Sequence, residues 1–461
     1  MKSALSCLLG IGLFLSGCTM GPDYRPPEPA LSSSWQARLP HDGKETALLD
    51  WWGQFNDPVL TDLQKMAEAD SPTLDAALAQ IERARATLTS SRSTLFPNLD
   101  ASGTYSRAQQ VVGGNGVIGE SRAGRLDAAW ELDLFGKARR GAEAAEARIQ
   151  ARVDDWHDAR ISLAAEVADL YVQYRGCVLL AGAYEQQAGS QQSTIDMTRI
   201  AEDAGFIAPG DLALSEASAA QVRSAATQQR GACDLLVKGL VSLTGGTEPA
   251  IRSLLTQGRQ DLPQPAGLAI QTLPADLIRQ RPDLAAIERE VAATSAEIGV
   301  AVAAQLPSLS LAGSIGIAAA GSGGTGTTWS YGPALSLPLF DAGRRAAAVT
   351  SAEAAYAQAL ANYRQKVRSV VLEVEQALVN LDTADRREGD AAQAAAGFAR
   401  NFQAVDAAWQ AGSASLLDRE QARRNALDAE IALITLRQQQ VRNWIALYKA
   451  AGGGWQAEGR S

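Results

Sequence analysis

The sequence predicts an internally duplicated chain in which each unit joins two period-two β-strands to a very long α-helical hairpin. Three observations carry this. Motifs recur at a nearly constant offset, each copy holds two alternating strand segments, and each copy continues into a proline-free stretch too long for a compact core.

The duplication comes first. Ser71-Pro72-Thr73-Leu74 matches Arg281-Pro282-Asp283-Leu284, and Leu95-Phe96-Pro97-Asn98-Leu99 matches Gln305-Leu306-Pro307-Ser308-Leu309, both at an offset of 210. Leu134-Phe135 matches Leu339-Phe340 at 205, and Glu166-Val167 and Ala204-Gly205 match Glu373-Val374 and Ala411-Gly412 at 207. Such small drift marks one duplication with loop insertions.

Each unit opens with a helix, expected over Pro72 to Leu95 and over Pro282 to Leu306, with proline tolerated in the first turn. Strands follow. Leu99, Ala101, Gly103 and Tyr105 alternate with Asp100, Ser102 and Thr104, and Leu126 to Leu134 alternates with Asp127, Ala129, Glu131 and Asp133. In the second unit Leu309, Leu311, Ile315 and Ile317 form one face, and Leu335, Leu337 and Leu339 form that of the last strand. Period two with hydroxyl and acidic residues on one face is the pattern of a membrane barrel, apolar outside and polar inside. It is equally the pattern of a half-buried soluble sheet. The stretches Gly113 to Gly119 and Gly321 to Gly326 contain G-x-G-x-x-G. They lead into a strand and not a helix, so they read as hairpin loops and not as dinucleotide-binding turns.

The helices after the strands are long. No proline occurs between Pro97 and Pro209, or after Pro338. Leu163, Val167, Leu170, Tyr171, Tyr174 and Val178 form a coiled-coil stripe, as do Leu360, Tyr363, Val367, Val370, Val371, Val374, Leu378 and Leu381. The span from Gly136 to Ala204 amounts to roughly 100 Å of helix.

Ahead of the duplication lies a targeting segment. Lys2 precedes the short apolar run Ala4 to Leu15, and Leu15-Ser16-Gly17-Cys18 is a lipobox that makes Cys18 the lipidation site. Thr19 after the cysteine, in place of Asp, favours the outer membrane by analogy with bacterial lipoprotein sorting. The expected organisation is a signal peptide over 1–17, an N-terminal lipid-anchored extension over 18–70, a first repeat over 71–245, a linker over 246–280, a second repeat over 281–450 and a tail over 451–461. Trp51-Trp52 and Phe55 are expected to pin the extension to the body.

Composition narrows function. With 42 basic and 51 acidic residues the net charge is −9, against a nucleic-acid partner. Two histidines, His41 and His157, lie far apart, so no metal site, cofactor or catalytic triad is expected, and the chain reads as no enzyme. No later apolar run reaches a helical span, so any membrane crossing is by closed β structure, and four strands per chain close only by oligomerisation.

The chain resembles the outer-membrane factors of tripartite efflux pumps, the TolC-like lipoproteins of the NodT type. Carriers are Cys18 with Gly21-Pro22-Asp23-Tyr24, then Trp51-Trp52 with Phe55, Asp57-Pro58 and Leu60. Further carriers are Arg281-Pro282-Asp283-Leu284 with Ile298-Gly299-Val300-Ala301 and Leu306-Pro307, Trp130 to Gly136, and Leu337 to Arg344. The resemblance implies a membrane β-barrel plus a long α-helical barrel: a homotrimer with a barrel of twelve strands, a periplasmic helical barrel and an equatorial girdle that includes the linker. It implies a periplasmic adaptor (membrane fusion) protein and an inner-membrane resistance-nodulation-division (RND) transporter as partners, besides outer-membrane lipid, with this chain a passive gated exit duct for drugs or other toxic compounds. The alternatives are the outer channel of a protein-secretion system, which the lipobox disfavours, and a non-channel periplasmic coiled-coil lipoprotein.

The resemblance also implies an iris at the second hairpin tip. Aligned on Gly412, Leu417 falls where the family often has an apolar ring, and Gln421 falls where it often has an Asp, a departure for which Asp418 is the nearby substitute. Finally, Cys177 and Cys233 lie at similar heights on the two arms of the first hairpin, whose turn is expected near Gly205 to Gly210. In an oxidising compartment this placement predicts a disulfide closing a loop of about 57 residues.

Overall fold

The computed structural model describes residues 19–28, 52–112, 115–257, 261–264, 281–320, 324–453 and 455. A one-turn 3-10 helix, Trp52–Phe55, precedes α1 (Pro58–Ala69) and α2 (Pro72–Ser93). Strands β1 (Asn98–Val112) and β2 (Asn115–Leu132) lead into α3 (Lys137–Asp203), α4 (Pro209–Thr244) and α5 (Glu248–Gln257). The second copy runs α6 (Pro282–Ala303), β3 (Ser308–Ala320), β4 (Gly326–Ser336), α7 (Arg344–Gln410) and α8 (Leu416–Ala450). The long helices α3 and α7 have 67 residues each, as the duplication requires.

The chain forms two compact units. The first comprises Ala77–Asp155, Asp283–Lys366 and the described residues up to Glu28. Its sheet has the order β1-β2-β3-β4, antiparallel throughout, with Leu132 opposite Leu309 where the two copies meet. Below the strands, Ala144 of α3 packs on Ala293 and Ala296 of α6, and Arg148 bridges Glu290 and Glu297.

Residues Thr19–Glu28 lie along this unit as a strap. The Met20 amide donates to the Phe135 carbonyl at 3.1 Å, and the Arg140 guanidinium donates to the Met20 carbonyl and pairs with Asp23 at 2.8 Å. The Tyr24 hydroxyl donates to the Glu288 carboxylate at 2.6 Å, and its pKa is pushed far up by burial and by that carboxylate. Gly21 and Gly136 both have positive φ, at 91° and 79°, and both sit where a side chain would collide with the crossing backbone.

The second unit comprises the described residues of Pro29–Ala76, Trp156–Pro282 and Val367–Ser461. Its core joins Leu60 and Leu63 of α1, Val167 and Tyr171 of α3, Val237 and Leu240 of α4, Ile251 of α5, Leu378 of α7 and Leu447 of α8. Burying each such side chain stabilises the fold by about 1.5–3 kcal/mol, which explains the stripe seen in the sequence. Trp52 stands edge-on to Tyr448, with ring centroids 4.6 Å apart, and Phe55 is buried, so these aromatics pin their segment to the body; Trp51 lies outside the described residues.

Three strand boundaries and two helix ends differ from the sequence reading. The stretch from Asn115 to Gly119 belongs to β2 and not to a loop, because Asn115 already pairs with Val112; Gly113 and Gly114 lie outside the described residues. Strand β2 stops at Leu132, short of Leu134, since Asp133 turns away to accept hydrogen bonds from the Ala138 and Arg139 amides at the start of α3. The last strand spans Gly326–Ser336, so Leu337 and Leu339 lie beyond it; Asp341 there turns to accept the Arg345 amide at the start of α7. The α2 and α6 helices end two or three residues early in tight turns, such as Leu95 amide to Arg92 carbonyl.

Candidate functional site: a two-faced sheet and a bonded hairpin tip

Paired residues in an antiparallel sheet share a face, so the register sorts every side chain. One face carries Leu99, Ala101, Gly103 and Tyr105 of β1, Leu126, Trp130 and Leu132 of β2, Leu309, Leu311, Ile315 and Ile317 of β3, and Trp329, Tyr331, Pro333 and Leu335 of β4. The opposite face carries Ser102, Thr104 and Ser106, then Ser308, Ser310 and Ser314, then Thr328, Ser330 and Gly332. Its charges are Asp100, Asp127, Glu131 and Arg125, with Arg125 paired to Asp127 at 2.6 Å.

A half-buried soluble sheet hides its apolar face under helices. Here the apolar face is open: Tyr331 is 82% exposed, Leu335 71% and Leu99 70%. An uncovered surface of this kind needs an apolar surrounding. Strands of 11 to 18 residues reach or exceed the roughly 9–11 that a tilted strand needs to cross a bilayer. No helix of the described residues is long and apolar enough to cross a membrane. Strands β1 and β4 leave one edge each unpaired in this chain.

In the second unit the helical hairpins end in two tips. In the first, α3 stops at Asp203, Gly205 takes φ 75°, and Pro209 starts α4, the turn expected from sequence. Phe206 there is 84% exposed. On the arms, Cys177 and Cys233 are joined as a disulfide with Cα atoms 5.6 Å apart, inside the usual range. At the second tip Gly412 takes φ 74°, and Ser415 with Asp418 forms a capping box at the start of α8. Hydrogen bonds from the Ser415 side chain and backbone hold the Asp418 carboxyl below its usual range. Leu417 is exposed, and Gln421 donates to Asn425 at 2.9 Å. Cys18 lies outside the described residues.

Sequence reading missed the bonding just above this tip. Arg419 and Arg423 of α8 are almost fully buried. Arg419 pairs with Asp406 of α7 at 2.5 Å, stacks over Trp409 at 4.3 Å and reaches Thr194 of α3 at 2.5 Å. Arg423 pairs with Glu420 at 3.1 Å and donates to Thr194 and Gln191 of α3. Burial pulls the Arg423 guanidinium down to about 10, opposed by Glu420. The only sequence signal is the one-turn spacing of Arg419 and Arg423, which reads as well as a solvated helix face.

Comparison with known proteins decides the family. The profile described as "Outer membrane efflux protein" matches residues 63–246 and 273–453. This chain belongs to the outer membrane efflux protein family. It is 32% identical to outer membrane protein OprJ of Pseudomonas aeruginosa, over 99% of this chain and 97% of that one. It is 28% identical to nodulation protein T of Rhizobium leguminosarum bv. trifolii, over 96% of each. Among solved structures, the outer-membrane channel OprN superposes with a TM-score of 0.85 at 30% identity, over 95% of this chain and all of that one. The fold is that of the family's channels, and the protein is an outer-membrane efflux channel whose helices form a large periplasmic part.

Proposed function

We propose that this chain is the passive exit duct of an RND-type tripartite efflux system, closed as a homotrimer with a barrel of twelve strands. The reading rests on the two-faced sheet: an open apolar face, a small hydroxyl-rich opposite face and two unpaired edges in one chain. Unpaired edge groups in lipid cost several kcal/mol each, so neighbouring copies must supply them. The hydroxyl face then lines a water-filled lumen. A periplasmic adaptor and an inner-membrane RND transporter supply selection and energy, with the exposed Phe206 at the first hairpin tip a contact for the adaptor. The cargo class is drugs or other small toxic compounds.

Lipidated Cys18 anchors each chain. Its neighbour Thr19 sits against Gly136, four residues past the end of β2, where a lipid-borne terminus meets the membrane surface. Leu417, Asp418 and Gln421 form the periplasmic constriction, closed at rest. Single-channel conductance in planar bilayers tests the duct: discrete openings are expected, and no conductance from correctly folded protein overturns it. Asp418→Lys is expected to raise conductance; no change rejects the gate. Intact mass of the membrane-extracted protein tests Cys18, an unprocessed Met1 terminus being the contrary result.

A further inference from the structure

The internal duplication carries information about an interface that one chain does not contain. Within the chain, β2 of the first copy pairs with β3 of the second, Leu132 lying opposite Leu309. In the closed barrel the same junction recurs between chains: β4 of one protomer meets β1 of the next, second strand of a copy against first strand of a copy. The repeat offsets convert one junction into the other. Leu132 corresponds to Leu337 at an offset of 205, and Leu309 corresponds to Leu99 at 210. Carried across, the junction between chains sets the position of Leu337, one residue past the end of β4, in line with Leu99 of the next protomer.

We infer from this mapping that β4 and β1 of neighbouring protomers pair in the register that places Tyr331 opposite Tyr105 and Trp329 opposite Arg107. This rests on the duct reading above and goes beyond it, because closure alone names no partner residues. Three observations support it. First, all eleven residues of β4, Gly326–Ser336, fall within β1, running from opposite Gln110 to opposite Asp100. Second, both faces match. Leu335 meets Ala101 and Pro333 meets the side-chain-free Gly103 on the apolar face, while Ser330 meets Ser106 on the hydroxyl face. A slip of one residue would reverse the faces and is excluded. Third, the apolar face gains a continuous aromatic–cation row. Trp329 and Tyr331 already stack with centroids 6.0 Å apart on one edge, and Arg122 already lies 5.7 Å over Tyr105 at the other. The register brings the two half-clusters together, with Arg107 set against the Trp329 ring; such contacts are favoured by ring quadrupoles. The patches on the two edges differ, so the interface is head-to-tail, and ring closure comes from the duct reading.

The same mapping applied within the chain calibrates its tolerance. It carries Leu99 opposite Ala128 onto Leu309 opposite Pro333, whereas Leu309 pairs with Leu335, a shift of two residues with the faces kept. The test therefore has to separate registers two residues apart. Tyr105→Cys is combined in turn with Trp329→Cys, Tyr331→Cys and Pro333→Cys, and outer membranes are oxidised and run without reductant. The strongest cross-linked ladder, several-fold above the others, is expected with Tyr331→Cys. Ser106→Cys with Ser330→Cys is a second pair in the same register on the alternate hydrogen-bonding site, so poor geometry or poor folding of one pair leaves the other readable. A stronger ladder from Tyr105→Cys with Trp329→Cys or Pro333→Cys overturns the register. So does no ladder from either expected pair in proteins that native mass spectrometry finds trimeric. An unsubstituted protein that is monomeric and silent in bilayers overturns the duct reading and the register with it.

Discussion

Gly21 and Gly299 cross at backbone contact: a methyl group built on Gly21 would come 2.4 Å from the Gly299 Cα, and one built on Gly299 would come 2.6 Å from the Met20 carbonyl oxygen. Arg140 locks the crossing by holding Met20 and Asp23 together. Both glycines belong to the motifs Gly21-Pro22-Asp23-Tyr24 and Ile298-Gly299-Val300-Ala301, and the contact gives those motifs a physical reason.

Gly299→Ala is accordingly expected to lift the strap. Overpacking at a rigid contact costs about 1–3 kcal/mol. Limited proteolysis should cut between Met20 and Glu28 in the variant and spare the parent; equal protection would show that the crossing tolerates a methyl.

Asp57 ties the start of α1 to α3. Its carboxylate accepts the Val59 and Leu60 amides, and it also accepts the buried Tyr171 hydroxyl at 2.6 Å, which in turn accepts from Arg175 at 2.8 Å. Asp57→Ala removes a helix cap, worth about 1 kcal/mol. It also orphans a buried hydroxyl, at about 1–3 kcal/mol. A loss of about 2–4 kcal/mol is expected in denaturant unfolding followed by helix signal. Asp57→Asn keeps an acceptor for the amides and should fall between the two.

These contacts show what was legible in the sequence. Local chemistry was: Asp203, Gly205 and Pro209 bound the first hairpin because a positive φ and a first-turn proline are written in single residues. The burial of Val167, Tyr171, Val374 and Leu378 follows from the helical stripe. Strand ends were not, since alternation runs on through Leu134 and Leu339 although the strands stop at Leu132 and Ser336, ahead of the aspartates Asp133 and Asp341 that cap the next helices. Nor was the seat of Gly21 on Gly299, because no local period reports a contact between segments so far apart. The buried arginines above the second tip were hidden for the same reason: their partners Thr194 and Gln191 lie on a helix of the other copy.

The Cys177–Cys233 bond predicts a reductant-sensitive first hairpin. In the chain-entropy model a loop of this length contributes about 4 kcal/mol. Replacing both cysteines with serine should lower the melting temperature of the helical signal. Peptide mapping without reductant should recover the linked pair from the parent; both thiols freely alkylated in protein taken from the periplasm would contradict the bond.

The capping box at Ser415 predicts a pH-dependent helix start. The Asp418 carboxyl is held below the ordinary value of 3.8, so its contribution is fully present above that pH and is lost as pH falls through the lowered value. Hydrogen exchange at the first turn of α8, corrected for intrinsic rates, should be slow at neutral pH and rise on strong acidification. Asp418→Asn should exchange quickly throughout. A parent that shows no rise on acidification would separate Asp418 from the cap.

Glu420 is 1% exposed and sits between Arg419 and Arg423, with Gln191 donating to its carboxylate. Asp406 pairs with Arg419 and accepts from Gln410 at 2.8 Å. Among the described residues, Glu420→Gln therefore leaves Arg423, whose Nε has no hydrogen-bond partner there, without an ion-paired acid, Asp406 acting on it only at longer range. Removing one partner of a buried pair costs about 3–5 kcal/mol, whereas replacing a buried ionic set by apolar groups of similar volume is often neutral or stabilising. The expected order of stability is thus unusual: Glu420→Gln falls well below the parent, and Glu420→Leu combined with Arg423→Met recovers most of the loss. Urea unfolding of the three proteins measures it. If Glu420→Gln unfolds with the parent, water reaches the arginines and the cluster is not sealed. If the double variant is no better than the single, the hydrogen bonds to Thr194 and Gln191, and not the charge balance, hold α8 against α3.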